Sequence, residues 1–149
     1  MQISTRHFGV INFCKEDIIE FDEGLPGFKN VRKFIMININ LNDGQEDNSP
    51  LKWLQCIDDP ALAFPVVNPF VFKPDYDIEL DNKIAALLGI EKETDVELYA
   101  IAVVPEDIKR MSINLRAPLV INVRNRKGMQ VILDSDKYSI RHYILGETA

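Results

Sequence analysis

Two adjacent carboxylates, Asp58 and Asp59, come nearest in this chain to a pair of residues that could do chemistry. Adjacent carboxylates can form a general acid/base pair, a metal site, or the polar corner of a turn. Acid/base work needs environments that push the two pKa values apart, whereas neighbouring strand residues point to opposite faces. Pro60 follows directly and favours an extended or turn conformation at Asp59. The sequence therefore predicts a structural turn, with catalysis and partner contact as the lesser alternatives.

Metal and nucleotide chemistry lack a local motif in the sequence. His7 and His142 share no short spacing with cysteines or acids, so a zinc site would need ligands from distant parts of the chain. Cys14 and Cys56 form no Cys-x-x-Cys unit and are predicted to be reduced, partly buried thiols. GLPG at residues 24–27 is predicted to be a tight turn, and neither a P-loop nor a Gly-x-Ser-x-Gly elbow occurs. We expect no catalytic residue, metal site or cofactor.

The net charge of −6 at pH 7 argues against a general binder of nucleic-acid backbones. An acidic surface favours a basic partner, and the alternative is that it serves only solubility. Basic residues near the C-terminal hairpin could still form a local patch. They are Arg124, Arg126, Lys127, Arg141 and His142. A solvated strand edge, guarded by charges against aggregation, is the favoured interpretation. We expect no direct binding of nucleic acid.

The segment Ala63–Tyr76 combines aromatic side chains with Pro65, Pro69 and Pro74. Prolines lack a ladder donor, so the segment is predicted to run along a sheet edge or over a barrel end. An exposed aromatic on such a stiff edge would make a protein-binding ledge at residues 68–76. Here Phe70 is expected to be buried and the end from Phe72 to Tyr76 partly exposed. The predicted partner-binding residues are Asn68, Phe72, Lys73, Asp75 and Tyr76.

Most other segments are predicted to be strands. FIMININ (Phe34–Asn40) and VELYAIAVV (Val96–Val104) are rich in β-branched and aromatic residues, and LNDGQEDNSP (Leu41–Pro50) is typical of an exposed loop. LVINVR and MQVIL predict a hairpin closed by NRKG, with Gly128 in the left-handed region. The pattern at residues 81–89 predicts a short helix capped by Asp81 and stopped by Gly89, and PEDIKRM suggests one further helical turn.

These elements predict the fold class. We expect a single domain over residues 1–149, mainly β, with an antiparallel β-barrel-like architecture and one or two short helices covering an end. No apolar run approaches the ~20 residues needed to span a bilayer, and the N-terminus lacks the layout of a signal peptide. The expected location is the cytoplasm, without a membrane partner.

Three blocks of sequence resemble the flagellar assembly factor family, FliW. They are FDEGLPGF (Phe21–Phe28), WLQCIDDPALAFPVVNPF (Trp53–Phe70) and NLRAPLVINVRNRKGMQVIL (Asn114–Leu133). Each block alone is weak evidence, but all three occur in the order and spacing of the family, and the similarity runs nearly end to end.

The resemblance implies a non-enzymatic, cytoplasmic protein with a β-barrel-like fold that binds flagellin and the carbon storage regulator CsrA. In the family these partners compete: flagellin that awaits export occupies the factor, and its export frees the factor to capture CsrA. CsrA then no longer represses flagellin translation, an antagonism exerted away from its RNA site. We expect a monomer when neither partner is bound.

A small carrier protein is the alternative that the residues alone leave open. A β-barrel closed by a short helix could hold an apolar small molecule. The interior distinguishes the two hypotheses, because a carrier needs a cavity with convergent polar groups and a binding module has a filled core.

Overall fold

A computed structural model describes residues 1–6, 8–22, 24–25, 31–38, 51–134 and 136–144 of the chain. The strands are β1 (Gln2–Thr5), β2 (Gly9–Asn12), β3 (Ile19–Glu20), β4 (Lys33–Asn38), β5 (Leu51–Cys56), β6 (Ala63–Val67), β7 (Val96–Val103), β8 (Ser112–Ile113), β9 (Leu119–Asn122), β10 (Lys127–Gln130) and β11 (His142–Tyr143). The α-helices are α1 (Pro69–Phe72) and α2 (Asn82–Leu88), and 3-10 turns lie at Lys15–Asp17, Glu93–Asp95 and Ile108–Arg110.

The strands form a closed ring. Their order is β7-β6-β5-β4-β3-β10-β9, and β9 pairs back onto β7. Each neighbouring pair in this ring is antiparallel except β3 and β10, which are parallel and joined at Glu20 and Lys127. Outside the ring, β8 and β11 extend the sheet from β7, and β1 and β2 make a separate hairpin. The predicted fold class, mainly β and barrel-like with two short helices, is confirmed.

The inside of the ring is filled with side chains. Alternate residues of each strand point inward, as the period of two requires, so Leu119 and Ile121 join the interior and Val120 does not. The interior cluster is closely buried, at 0–3% exposure for each member. It consists of Ile19, Phe21, Leu25, Phe34, Leu54, Cys56, Val66, Leu119 and Ile121. This packed interior is the outcome expected of a binding module and not of a carrier.

Helix α2 forms where the sequence predicts it. The Asp81 side chain accepts a hydrogen bond from the backbone N–H of Ile84 at 2.8 Å, and Gly89 ends the helix at φ 68°. Leu88 packs on Val120 and Val131, on the outer side of the ring wall. The sequence places the helix over an end of the barrel, whereas this contact places it against the side.

The β9–β10 hairpin is confirmed, but its left-handed residue is Arg126, at φ 61°, and not Gly128. Gly128 lies within β10 opposite Ile121. A Cβ built at Gly128 would lie 2.8 Å from Cζ of Phe21, so the glycine is required by a close approach and not by the turn.

The prediction that Ala63–Tyr76 follows an edge is wrong for its first part. Residues Ala63–Val67 form β6, which pairs with both β5 and β7. The N–H of Cys56 donates to the carbonyl of Leu62 at 2.9 Å, so this carbonyl faces β5. Successive residues of a strand direct their backbone groups to opposite neighbours, so the nitrogen of Pro65 faces β7. Pairing with β7 begins only at Val66, so the missing donor of Pro65 leaves no ladder bond unmade.

Several other predictions can be compared directly. Strands β4 and β7 lie where FIMININ and VELYAIAVV predict them, and Ile108–Arg110 is the further turn. Cys14 is exposed, Cys56 is buried, and both are free thiols. The loop at 41–50, His7 and residues 26–27 of the GLPG turn lie outside the described residues. Within the described part of the chain, no helix is long and apolar enough to cross a membrane.

Candidate partner-binding groove

A groove of about 1160 Å³ lies between β7 and the segment that follows α1. Its apolar lining includes the more exposed Phe70 and five half-buried side chains, which are Ile78, Leu80, Ile90, Val96 and Leu98. Its acidic lining is exposed and consists of Asp77, Glu79, Glu91, Glu93 and Glu97. Lys52 and Lys92 also line it, so acids outnumber bases. The groove therefore offers apolar surface within a negative field.

The groove opens where β6 leaves the ring. The side-chain oxygen of Asn68 accepts a hydrogen bond from the N–H of Phe70 at 3.0 Å, and Pro69 occupies the first turn of α1. An Asn cap followed by proline is a strong helix start, because proline has the required φ and its missing donor is not needed there. The chain thus turns away from β7 directly after Val67, and the space it leaves becomes part of the groove.

Hydrogen bonds from two tyrosines hold in place the residues after α1, which form one wall of the groove. The hydroxyl of Tyr76 donates to the carbonyl of Leu115 at 2.6 Å, and burial raises the pKa of Tyr76 well above its usual value. The hydroxyl of Tyr138 donates to the carbonyl of Asp77 at 2.9 Å and accepts from its N–H at 2.8 Å. The backbone of this wall is therefore fixed before any partner binds.

The opposite wall, at the end of α2, is held by the β9–β10 turn. The carbonyl of Leu88 accepts from the side-chain amides of Asn122 and Asn125, at 2.8 and 2.9 Å. The carbonyl of Gly89 accepts from the guanidinium of Arg124 at 2.7 Å. These bonds satisfy carbonyls that the end of a helix leaves without partners. We call Asn122, Arg124 and Asn125 the clasp.

Asp95 organises the backbone beside the clasp. Its carboxylate accepts hydrogen bonds from the N–H groups of Glu91 and Lys92, at 3.0 and 3.1 Å, and lies 3.5 Å from Nε of Arg124. The backbone N–H of Glu91, with help from Lys92 and Arg124, lowers the pKa of Asp95 and keeps it charged. Glu91 and Glu93 are thereby held on the groove.

The groove includes only some of the residues predicted for the ledge. Asn68 and Tyr76 line it, Phe72 is half-buried in a neighbouring cluster, and Lys73 pairs with Asp75 at 3.1 Å. Whether these five residues bind a partner stays a prediction.

The expected exposure is wrong at Phe70 and Tyr76, whereas Phe72 is partly exposed as expected. Phe70 is 41% exposed, whereas Tyr76 is 3% exposed. The reason is that α1 replaces the extended backbone on which the expectation depended. The acids of the groove were missed, although the run EKETDVE at residues 91–97 concentrates three of them within a few residues of β7.

Asp58 and Asp59 form the structural turn that Pro60 predicts. Both side chains are exposed, and Oδ1 of Asp59 accepts from the N–H of Ala61 at 3.0 Å. The buried side-chain amide of Gln55 donates to carbonyls on both sides of this turn, at Cys56 and Leu62, at 2.9 and 3.1 Å. The pair thus has a structural role at an exposed turn, and neither carboxylate lines the groove described above.

Three of the basic residues near the hairpin make bonds within the chain. Arg124 belongs to the clasp, Arg126 donates to the carbonyl of Asp17 at 3.3 Å, and Lys127 pairs with Glu20 at 2.8 Å and Asp22 at 3.2 Å. Hydrogen bonds to these two acids raise the pKa of Lys127. These cations therefore stabilise the fold and do not form a free patch.

A family model described as FliW protein matches residues 2–144. The chain belongs to the FliW family. The chain is 44% identical to the flagellar assembly factor FliW of Caldanaerobacter subterraneus subsp. tengcongensis, across 99% of this chain and 95% of that protein. It is 47% identical to the protein of the same name from Alkaliphilus metalliredigens, across 99% of this chain and 88% of that one. The crystal structure of a flagellar assembly factor FliW superposes with a TM-score of 0.88 at 36% identity and full coverage of both chains.

Proposed function

We propose that this FliW-family chain is a cytoplasmic flagellar assembly factor that acts by binding alone, without catalysis. It binds flagellin and, when flagellin has been exported, binds CsrA and relieves repression of flagellin synthesis. The observation that carries the proposal is the groove beside β7, which combines half-buried apolar side chains with five exposed acids.

Charge supports a basic partner for this groove. A field of one sign over a concave surface raises the local concentration of an oppositely charged partner and speeds its association. CsrA binds RNA and therefore carries basic charge, which the acids of the groove would attract over a distance, while the contact itself lies away from the RNA site of CsrA. The apolar lining then supplies the desolvated contact that holds a partner after encounter.

The filled ring supports protein binding over the alternative of a small-molecule carrier. Interior side chains such as Phe21, Phe34 and Leu54 are 0% exposed, so the described residues fill the centre of the ring with side chains. The available surface is an open groove on the outside of the ring.

Charge reversal in the groove tests the proposal. Glu79 and Glu93 are exposed groove residues, and Glu106 is an exposed acid outside the groove lining. We expect the double variant Glu79→Lys/Glu93→Lys to associate with CsrA about tenfold more slowly, because mutations of rim charges act mainly on the on-rate. Association with CsrA and with flagellin is measured separately by stopped-flow or surface plasmon resonance.

The single variant Glu106→Lys is compared with the single variant Glu93→Lys, which changes the net charge by the same amount, and Glu106→Lys should alter the on-rate by less than about twofold. Raising ionic strength from about 0.1 M to about 1 M shortens the screening length from ~10 Å to ~3 Å. It should therefore slow the association of the unmodified chain with CsrA in the same way. Flagellin added to a preformed complex with CsrA should release CsrA. Absence of a complex in low salt, with each protein at tens of micromolar, would show the proposed function to be wrong.

A further inference from the structure

Strand β7 has one edge that is only partly occupied. On its first edge, β9 pairs with Val96–Tyr99 and β8 pairs with Ala102 and Val103. On its second edge, β6 pairs only with Ala100 and Ile101 before the chain turns into α1. In the described part of the chain, residues 96–99 therefore have no strand on the second edge, and this stretch lines the groove.

The alternation of hydrogen bonds shows which backbone groups face the groove. The carbonyl of Asp95 accepts from Val123 at 2.8 Å and that of Ile101 from Asn114 at 3.0 Å, both on the first edge. Alternate residues direct their N–H and C=O groups to opposite edges, so Glu97 and Tyr99 also bond toward β9. Leu98 therefore directs both its N–H and its C=O to the second edge, and Val96 directs its C=O there as well.

These groove-facing groups lack partners among the described residues. The N–H of Val96 is used locally, since it caps the 3-10 turn by donating to Glu93. The carbonyl of Val96 and both backbone groups of Leu98 make no bond to the walls of the groove within the described chain. A sheet edge of this kind is a template for one more strand.

The side chains around this edge specify what such a strand would carry. A strand presents alternate side chains to opposite faces. On the β7 edge, Val96 and Leu98 lie on one face, near the apolar Ile78 and Leu80, while Glu97 lies on the other. A segment that alternates basic and apolar residues would match both faces.

We propose that an extended basic segment of a partner protein binds the groove as an additional strand on the open edge of β7. Main-chain hydrogen bonds to Leu98 would supply affinity, and the alternating side chains would supply specificity. The partner is flagellin or CsrA only if the proposed function holds, but the strand mode of binding can be tested separately.

Amide hydrogen exchange of the full chain, resolved residue by residue by NMR, tests the proposal. The probes are purified CsrA, purified flagellin and a capped heptapeptide of alternating lysine and valine. Because Leu98 gains a hydrogen bond, its amide should exchange about tenfold more slowly in the complex. The amides of Glu97 and Tyr99 are already bonded to β9, so they are internal references that should not change.

Two variants at one position separate the backbone bond from the side chain. Leu98→Pro and Leu98→Ala both lose the leucine packing, but only proline also removes the N–H that faces the groove. We expect Leu98→Pro to bind a partner at least about fivefold more weakly than Leu98→Ala. If Leu98→Pro does not fold, exchange in the unmodified chain decides alone.

The outcomes separate the strand mode from the proposed function. If CsrA or flagellin binds and exchange at Leu98 is unchanged, the strand mode is wrong and the proposed function stands. If neither protein binds but the peptide protects Leu98, the edge is a binding site and the proposed function is wrong. If no probe protects the amide of Leu98, the inference is overturned. It is also overturned if this amide becomes protected as the concentration of the chain alone rises, since a second copy would then occupy the edge.

Discussion

Single contacts between side chain and backbone decide how closely the strands of the ring can approach. Gly128 lies over the ring of Phe21, a residue of 0% exposure whose ring also packs edge-on against Phe34 at 5.5 Å. Because Phe21 cannot move without disturbing the interior, Gly128→Ala should lower the free energy of unfolding by about 1–3 kcal/mol. Urea titration followed by the fluorescence of Trp53 measures the loss.

A double-mutant cycle checks the cause of that loss. In the background Phe21→Leu, the added methyl meets a smaller side chain, so Gly128→Ala should cost less than in the parent. An equal cost in both backgrounds would mean that the methyl group acts through the backbone and not through Phe21.

Helix α2 shows how one element depends on another. With two turns of helix it is too short to be stable alone, and its last carbonyls are held by the clasp. Asn122 is 0% exposed, so Asn122→Ala would leave a buried cavity, and the carbonyl of Leu88 would lose one of its two donors. We expect a loss of about 1–3 kcal/mol in the free energy of unfolding.

Asn125 offers a matched control for Asn122, because it is exposed and donates to the same carbonyl. Asn125→Ala should cost about 0.5–1 kcal/mol, since water can replace the lost donor. Thermal unfolding of both variants, with amide exchange at Gly89 and Ile90, measures the effect. Equal costs for the two variants would show that burial of Asn122 does not matter.

How far sequence reasoning reached differs from element to element. Helix α2 was predictable because its start at Asp81 and its end at Gly89 are local signals. Strands β4, β7 and β9 were predictable because β-branched residues and alternation are local as well. The segment after β6 was not, because its prolines favour an extended run, whereas Asn68 and Pro69 together start a helical turn.

The groove as a whole could not be predicted from the sequence. Its acids come from Asp77, Glu79 and the run at 91–97, and they meet only because the chain after α1 passes beside β7. The clasp is equally nonlocal, since it joins residues 34 or more positions apart in the chain. Pairings of this kind follow from topology, which the periodicity of single segments does not specify.

At the level of the whole molecule, the proposed binding surface lies largely outside the core. The ring encloses the interior cluster, while the groove and the open edge of β7 lie outside it. Variants of exposed groove acids can therefore change partner binding with little effect on the fold. This separation makes Glu79→Lys and Glu93→Lys informative, because surface substitutions away from buried contacts usually change stability by about 0.5 kcal/mol or less.

The parallel seam between β3 and β10 also has a kinetic consequence. It brings together Glu20 and Lys127, which are 107 positions apart, whereas β9 and β10 are joined by a short turn. The entropic cost of closing a loop grows with its length, so the seam should close after the other strands have paired. Ile19→Val, in β3, should then speed unfolding and leave the folding rate unchanged, while Ile121→Val, in β9, should slow folding. Stopped-flow chevron plots of the two variants measure this order of events, and a slower folding limb for Ile19→Val would show that the ring closes early.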